Sequence, residues 1–530
     1  MVLLRPRTRI RAAHRLLWCG VAMLSRSLTA ALHGVDGSLV TVEADVRLGL
    51  PGLTIVGRAT GAVTEARERV RSALAHCGHE LRPRKQVVNL APADVRKDSP
   101  GIDLAVAVAL LASHEIVPAA ALDAVLLWGE LALDGRVRGA GGALVVADTA
   151  RRLGILQVVV ARDNADEAAL IPGLEVLAVS GLPELVAHLR GDRKLVPHVR
   201  GPSESVASRH PDMADVRGLS VARLGLEVMI AGGHNLLLHG PPGVGKTMLA
   251  RRAGGLLPDL DDVAALEVTK IHGVSRGRVA TDLIRRPPIR MPHHTVSVAG
   301  LLGGGTPVRP GEVSLAHRGM LFLDELLEFP RACLEGLREP LEDGDVTIVR
   351  ASGVLRLPAR FQLMAAMNPC PCGYLGHPER ACTDPATAIA RYRRRLSGPL
   401  MDRIDLVVPI VPCSTDAPDL PEGESSADIR TRIDAARVRQ GLRLAGTPWR
   451  TNAEIPADAG AIEVHCALTT AARMLLRELT KVRRLSPRAQ HRLRRVARTI
   501  ADLQFDRDPT GALGPAEIAQ AAALRCLPDG

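Results

Sequence analysis

The 530-residue chain carries 68 Lys and Arg against 57 Asp and Glu, a net charge of +11, and it has only nine aromatic residues. This length predicts two to four domains with ample core, and a hydrophobic content of 46% excludes a disordered chain. The shortage of aromatics argues against single-stranded nucleic-acid modules built on stacking platforms, but not against phosphate contacts made by Arg and Lys.

Residues 1–22 hold five arginines and no acid, with an apolar stretch beginning at Leu16. This loosely resembles a signal peptide. The favoured reading is a start codon placed too early, with Met23 the start, because everything downstream looks cytoplasmic. Removing those five arginines brings the net charge to +6. No uncharged apolar run of about 18 residues occurs, so no membrane span is expected.

Residues 23–190 alternate strand-like runs (Leu39–Val46, Gly52–Val56, Gln86–Leu90, Gln157–Ala161) with helical ones (Thr64–Cys77, Ile102–Ala112). This predicts an α/β or α+β domain. Residues 191–213, polar and rich in Pro and Ser, read as a linker. Residues 214–412 alternate β and α again. Residues 413–427 form a second turn-rich joint, and residues 428–530 read as helices over 428–444, 469–479, 487–503 and 515–524. No fixed-period repeat is visible.

The strand Asn235–Gly240 runs into Gly240, Pro241, Pro242, Gly243, Val244, Gly245, Lys246 and Thr247, followed by a helical stretch. This is the G-x-x-x-x-G-K-[ST] phosphate loop in its strand–loop–helix setting. Backbone N–H groups and the helix N-terminus cradle phosphate oxygens. Lys246 is expected on the β/γ phosphates and Thr247 on Mg²⁺. About 80 residues on, the apolar strand Gly319–Leu323 ends in Asp324 and Glu325. Asp324 is expected to hold Mg²⁺ and Glu325 to polarise the attacking water. A third apolar strand, Phe361–Met367, ends in Asn368, placed to touch the γ-phosphate or that water.

These motifs, with MPHHTVSVAGLLGGGTPVRPGEVSLAHRGMLFLDEL (291–326), MAAMNPCPCGY (364–374), RYRRRLSGPLMDRIDLVVPI (391–410) and LSPRAQHRLRRVARTIADL (485–503), resemble the AAA+ ATPases. More narrowly they resemble the magnesium-chelatase-like subgroup of the ComM and YifB type, and GVDGSLVTVEADVRLGLPGLTIVG (34–57) extends the likeness. The resemblance spans roughly residues 24–527. It implies an AAA+ P-loop core with a helical lid over 428–530, preceded by a Lon-protease-like, ribosomal-S5-like α+β domain. It also implies ATP and Mg²⁺ as ligands and a homo-hexameric ring. Arg403 resembles the arginine finger acting on a neighbour's γ-phosphate, and Arg488 the second sensor. The segments 290–311 and 344–360 resemble pore loops, on which Arg350 and Arg356 would reach backbone phosphates.

The implied function is an ATP hydrolase coupled to movement on DNA, in branch migration or as a helicase during recombination or transformation. The alternatives are a magnesium-chelatase-type metal-insertion subunit and a protein-remodelling ATPase. In the Lon-like domain the resemblance places Gly101 at the nucleophile position and Leu144 at the lysine position, so proteolysis is not expected.

Two further patterns stand out. Cys370, Cys372 and Cys382 cluster, and Asp384 or His377 would complete a mixed four-ligand Zn²⁺ site; unligated thiols are the favoured alternative. His293 and His294 read as polar loop residues. Between Arg473 and Arg498 stand ten Lys or Arg and one acid, Glu478. So lopsided a run points to contact with nucleic-acid phosphates, with contacts to nucleotide or neighbouring subunits as the alternative.

Overall fold

The computed structural model describes residues 23–57, 61–201, 210–276, 280–305, 308–350, 353–411, 423–504, 508 and 510–526. The basic extension and most of the 413–427 joint lie outside them. The chain divides into two compact units, Met1–Gly201 and Pro202–Gly530.

The first unit is built on a seven-stranded sheet. Its strands are β1 (Met23–His33), β2 (Asp36–Arg47), β3 (Gly52–Val56), β4 (Lys85–Ala91), β5 (Val125–Trp128), β6 (Gln157–Ala161) and β7 (Glu175–Val179), in the order β3-β4-β2-β1-β5-β6-β7. The β1–β2 and β2–β4 pairs are antiparallel, and β5–β6 and β6–β7 are parallel. Strand β1 lies mid-sheet, yet hydrophobicity does not announce it, because its buried face carries Ser25, Ser27 and Thr29. Those hydroxyls satisfy themselves by donating to the carbonyls of Ala109, Ala105 and Leu127. Ala109 and Ala105 belong to helix α2 (Asp103–Ser113), which is buried along its whole length. Helix α1 (Ala62–His76) packs beside α2, and α3 (Ala143–Arg152) packs against β1 and β2.

Residues 195–198, read from sequence as linker, are tied down here. His198 N–H donates to the Val176 carbonyl, and its ring reaches Asp166 at 2.8 Å.

The second unit holds a five-stranded parallel sheet. Its strands are β8 (Leu236–His239), β9 (Ile289–Arg290), β10 (Met320–Leu323), β13 (Gln362–Met367) and β14 (Leu406–Pro409), in the order β9-β10-β13-β8-β14. A hairpin of β11 (Asp345–Arg350) and β12 (Gly353–Pro358) stands apart from it. Leu236, Leu238, Phe322, Met364 and Val408 share one apolar core with residues of the helices that flank the sheet. Those helices are α4 (Ser220–Gly232), α5 (Lys246–Leu256), α8 (Ser426–Arg443), α9 (Thr470–Arg483), α10 (Pro487–Asp502) and α11 (Pro515–Ala523), while among the described residues α6 (Asp262–Arg276) and α7 (Ala386–Arg393) contribute nothing to that cluster.

Helices α8, α10 and α11 contribute to that core, and Val407 N–H donates to the Leu524 carbonyl. A buried polar network adds to the tie. His234 bridges Asp405 and Thr499, and Asp502 takes Arg443, Arg498 and Asn452. Among the described residues, no helix is long and apolar enough to cross a membrane.

Candidate active site

Strands β8, β10 and β13 are parallel neighbours, so their C-terminal ends open on one edge of the sheet, where ligands of open α/β sheets bind. Each ends in one of the sequence-predicted motifs. Strand β8 runs into the loop Gly240–Gly245, which leads directly into α5. Gly245 caps that helix at φ +93°, a left-handed conformation that a side chain would strain. Pro242 and Gly243 are exposed on the loop, whereas Pro241 is buried.

Lys246 is buried at the first turn of α5. Its ammonium donates to the Pro241 carbonyl and to Asn368 Oδ1, both at 2.9 Å, and also to the Gly240 carbonyl. Burial lowers its pKa to about 8, against the opposing pull of Asp324 and Glu325. The next residue, Thr247, donates through Oγ1 to Asp324 Oδ2 at 2.5 Å. A hydroxyl and a carboxylate thus converge one residue from the ammonium, a hard-oxygen pair of the kind Mg²⁺ takes beside phosphates.

Glu325 follows at φ +50° and is exposed. Its backbone N–H donates to Asp324 Oδ1 at 2.9 Å, and its carboxylate lies 3.4 Å from His294 Nδ1. His294 itself stacks on His293 and meets the edge of Phe329. The polar contacts expected of this loop are present, but the identity of the acid that His294 meets was not legible. The His-His doublet was the available signal, but only the fold brings it to the acid.

Three matches with known proteins bear on this arrangement. Models of the magnesium chelatase subunit ChlI match residues 212–417, of the subunit ChlI of Mg-chelatase residues 42–164, and of the ChlI C-terminal region residues 423–525. The chain is 44% identical to YifB of Escherichia coli (strain K12) over 477 residues, covering 90% of this chain and 92% of the relative. It is 40% identical to the competence protein ComM of Haemophilus influenzae over 484 residues, covering 89% and 92%. The chain belongs to the magnesium-chelatase-like AAA+ ATPases of the ComM and YifB type. A shorter likeness, 30% identity over 166 residues, links it to the Lon protease of Rhizobium meliloti and covers 29% of this chain and 20% of the relative.

In this ComM/YifB-type chain the two positions that the resemblance assigns to a Lon-type dyad hold Gly101 and Leu144. A Cβ on Gly101 would sit 2.4 Å from the Trp128 ring, and Leu144 is buried in α3. Ser99 accepts from Gly101 N–H as a turn cap, while Lys97 is buried and donates to the carbonyls of Leu90, Gly57 and Pro92.

Arg403 stands away from the phosphate loop of its own subunit. It pairs with Glu342 and donates to the Pro399 carbonyl at 2.7 Å. Asn235 anchors its backbone by donating to the Arg403 carbonyl at 2.8 Å. Burial, together with the guanidiniums of Arg338, Arg488 and Arg492, pushes its pKa down. Arg488, exposed at the start of α10, is one of those nearby cations. The involvement of Arg338 and Glu342 was not legible in the sequence.

The basic run of this family member divides in two. Arg492, Arg494 and Arg498 are buried and Arg495 is half-buried. Arg494 donates to the Cys466 carbonyl, Arg495 to those of Ala453 and Ile455, and Arg498 to that of Gly511. These bonds tie the helix to the backbone at Ala453–Ile455, Cys466 and Gly511. Arg473, Arg477, Lys481, Arg483, Arg484 and Arg488 remain exposed. On the β11–β12 hairpin, Arg350 is exposed, and Arg356 is exposed while paired with Asp345 at 2.7 Å.

Cys370, Cys372, Cys382 and Asp384 come together, with their ligand atoms all within 4.8 Å of one another. His377, the other candidate, instead accepts the backbone N–H groups of Glu379 and Arg380. Cys333 and Cys466 are buried singly, while Cys19 and Cys413 lie outside the described residues.

Proposed function

We propose that this chain is the subunit of an ATP-driven ring motor that acts on DNA, in branch migration or strand separation during recombination or uptake of DNA. The observation that carries the ATPase half is the convergence of Lys246, Thr247, Asp324, Glu325 and Asn368 on one sheet edge. Gly240 to Thr247 would hold the phosphates. Thr247 and Asp324 would hold Mg²⁺, which when bound neutralises charge on the β and γ oxygens. Glu325 orients the attacking water and accepts its proton, while Asn368 positions that water or the γ-phosphate.

Arg403 would serve the nucleotide of a neighbouring subunit, because its guanidinium pairs with Glu342 and the Pro399 carbonyl and not with the phosphate loop, and Arg488 would act as the second sensor on the lid. Sites completed from next door require head-to-tail interfaces that close into a ring, and a hexamer is the expected size. The 428–530 helices act in this reading as the lid. Residues 23–190, Lon-like and S5-like, act as a scaffold without peptidase chemistry.

The DNA half rests on the likeness to the competence protein ComM and on six exposed basic side chains along α9 and at the start of α10. Such charges grip phosphates without reading bases. The deciding experiment is the ATPase rate with and without single-stranded, forked and four-way-junction DNA. Stimulation by one of these, with binding that weakens steeply with salt, is expected. No stimulation and no binding at low salt would overturn the DNA reading. A metal-insertion role, favoured by the chelatase family models, predicts stimulation by a porphyrin and its partner subunits instead.

A further inference from the structure

The loop that joins the proposed sensor Asn368 to helix α7 contains three thiols and a carboxylate that the nucleotide chemistry does not use. Cys370 Sγ lies 3.3 Å from Cys372 Sγ, and Cys382 Sγ lies 3.6 Å from each of them. Asp384 Oδ2 lies 3.8 Å from Cys382 Sγ. A tetrahedral zinc ion with bonds of about 2.3 Å to sulfur sets neighbouring sulfurs about 3.8 Å apart. The near-equilateral triangle approaches that spacing. A disulfide would need two sulfurs at about 2.05 Å and would strand the third. The Leu375 N–H also points at Cys370 Sγ, at 3.3 Å, the outer-shell hydrogen bond that steadies a thiolate ligand.

The same loop touches the ATP-binding elements. Asn368 is two residues before Cys370 and receives Lys246. Gly373, buried at φ +85°, lies so close to the phosphate loop that a Cβ there would approach Pro242 Cδ to 2.8 Å. At the other end, Asp384 and Pro385 lead into α7, whose Arg393 donates to the Pro369 carbonyl at 3.4 Å.

We infer that Cys370, Cys372, Cys382 and Asp384 hold one zinc ion, and that this ion fixes the Asn368–Gly373 loop against the phosphate loop. Binding releases the three thiol protons and forms three Zn–S bonds and one Zn–O bond, with no change of oxidation state. Removing zinc frees the loop to move away from Pro242, so nucleotide affinity falls. The coupling rests on the ATP-site reading above, whereas zinc binding itself does not.

The test uses full-length protein. Elemental analysis is expected to find close to one zinc per chain, absent from Cys372→Ser and Cys382→Ser and retained in Cys77→Ser. Replacement by Co²⁺ is expected to give the visible and thiolate charge-transfer bands of a tetrahedral site in the wild type. Chelation of the wild type, with helical content monitored by circular dichroism, is expected to weaken binding of a fluorescent ATP analogue threefold or more and to be reversed by added zinc. No bound zinc and no cobalt bands would overturn the site. Bound zinc whose removal leaves nucleotide affinity unchanged would overturn the coupling. Lys246→Ala separates the two readings: it should keep its zinc and lose nucleotide binding.

Discussion

Lys246 Nζ and Asn368 Oδ1 meet at 2.9 Å across 122 positions of sequence, joining the end of one parallel strand to that of its neighbour. A phosphate bound in the loop would compete for the same ammonium, which links phosphate binding to the position of Asn368. Asn368→Ala is expected to retain ATP binding while lowering kcat about 100-fold, the usual cost of losing one positioned polar group. Equilibrium binding and single-turnover hydrolysis measured together check this.

The depressed pKa of Lys246, about 8, has a sign that can be measured. Bound phosphates favour the ammonium and raise that pKa. Above pH 8, ATP binding should therefore take up a proton, and affinity should fall as pH rises from 8 toward 10. Calorimetry at pH 8.5 in two buffers of different ionisation enthalpy reads the uptake directly. Equal heats in both buffers would count against it.

Glu325→Gln is expected to bind ATP and to lose about 10²–10⁴ in turnover, the range for removal of a general base. His294→Ala, which releases the Glu325 carboxylate from its partner, should reduce kcat by less and leave ATP affinity unchanged. Turnover in His294→Ala as low as in Glu325→Gln would place His294 itself in the chemistry.

Arg403→Ala should cost about 10³-fold in ATPase rate if its guanidinium completes a neighbour's site. Binding of ATP in its own subunit should persist, because Arg403 pairs with Glu342 and not with the phosphate loop. Mixing Arg403→Ala with Lys246→Ala should restore part of the activity, since some interfaces then hold an intact Lys246 facing an intact Arg403. No recovery in mixed assemblies would oppose action between subunits.

The two halves of the basic run should respond oppositely. Arg498→Ala strips Asp502 of a buried partner and should destabilise the second unit by about 3 kcal/mol or more, read by denaturant unfolding. Arg477→Glu with Lys481→Glu, both exposed, should leave unfolding nearly unchanged, weaken DNA binding and flatten its salt dependence.

Much of the site was legible because its chemistry is local. A strand, a glycine loop and Lys246-Thr247 are contiguous, as are Asp324 and Glu325, and phosphate binding requires that spacing. Four helices of residues 428–530 were readable from their periodicity within a few residues of their ends, whereas the short helix Ala459–His465 was missed. Strand β1 was not, because its inward face is hydroxyl and only α2 and β5 supply the acceptors.

What the tertiary structure decided is which partner each charged or polar side chain finds. A run of ten basic residues has one composition but two fates: Arg494 and Arg498 turn into the core and donate to backbone carbonyls, while Arg477 and Lys481 stay in solvent. The choice of Asp384 over His377, the pairing of His294 with Glu325, and the company Arg403 keeps with Arg338, Arg488 and Glu342 were settled in the same way. Contiguous motifs state their chemistry in the order of residues. Electrostatic partners depend on burial and on distances of a few ångströms between segments far apart in the chain, and these exist only once the core has formed.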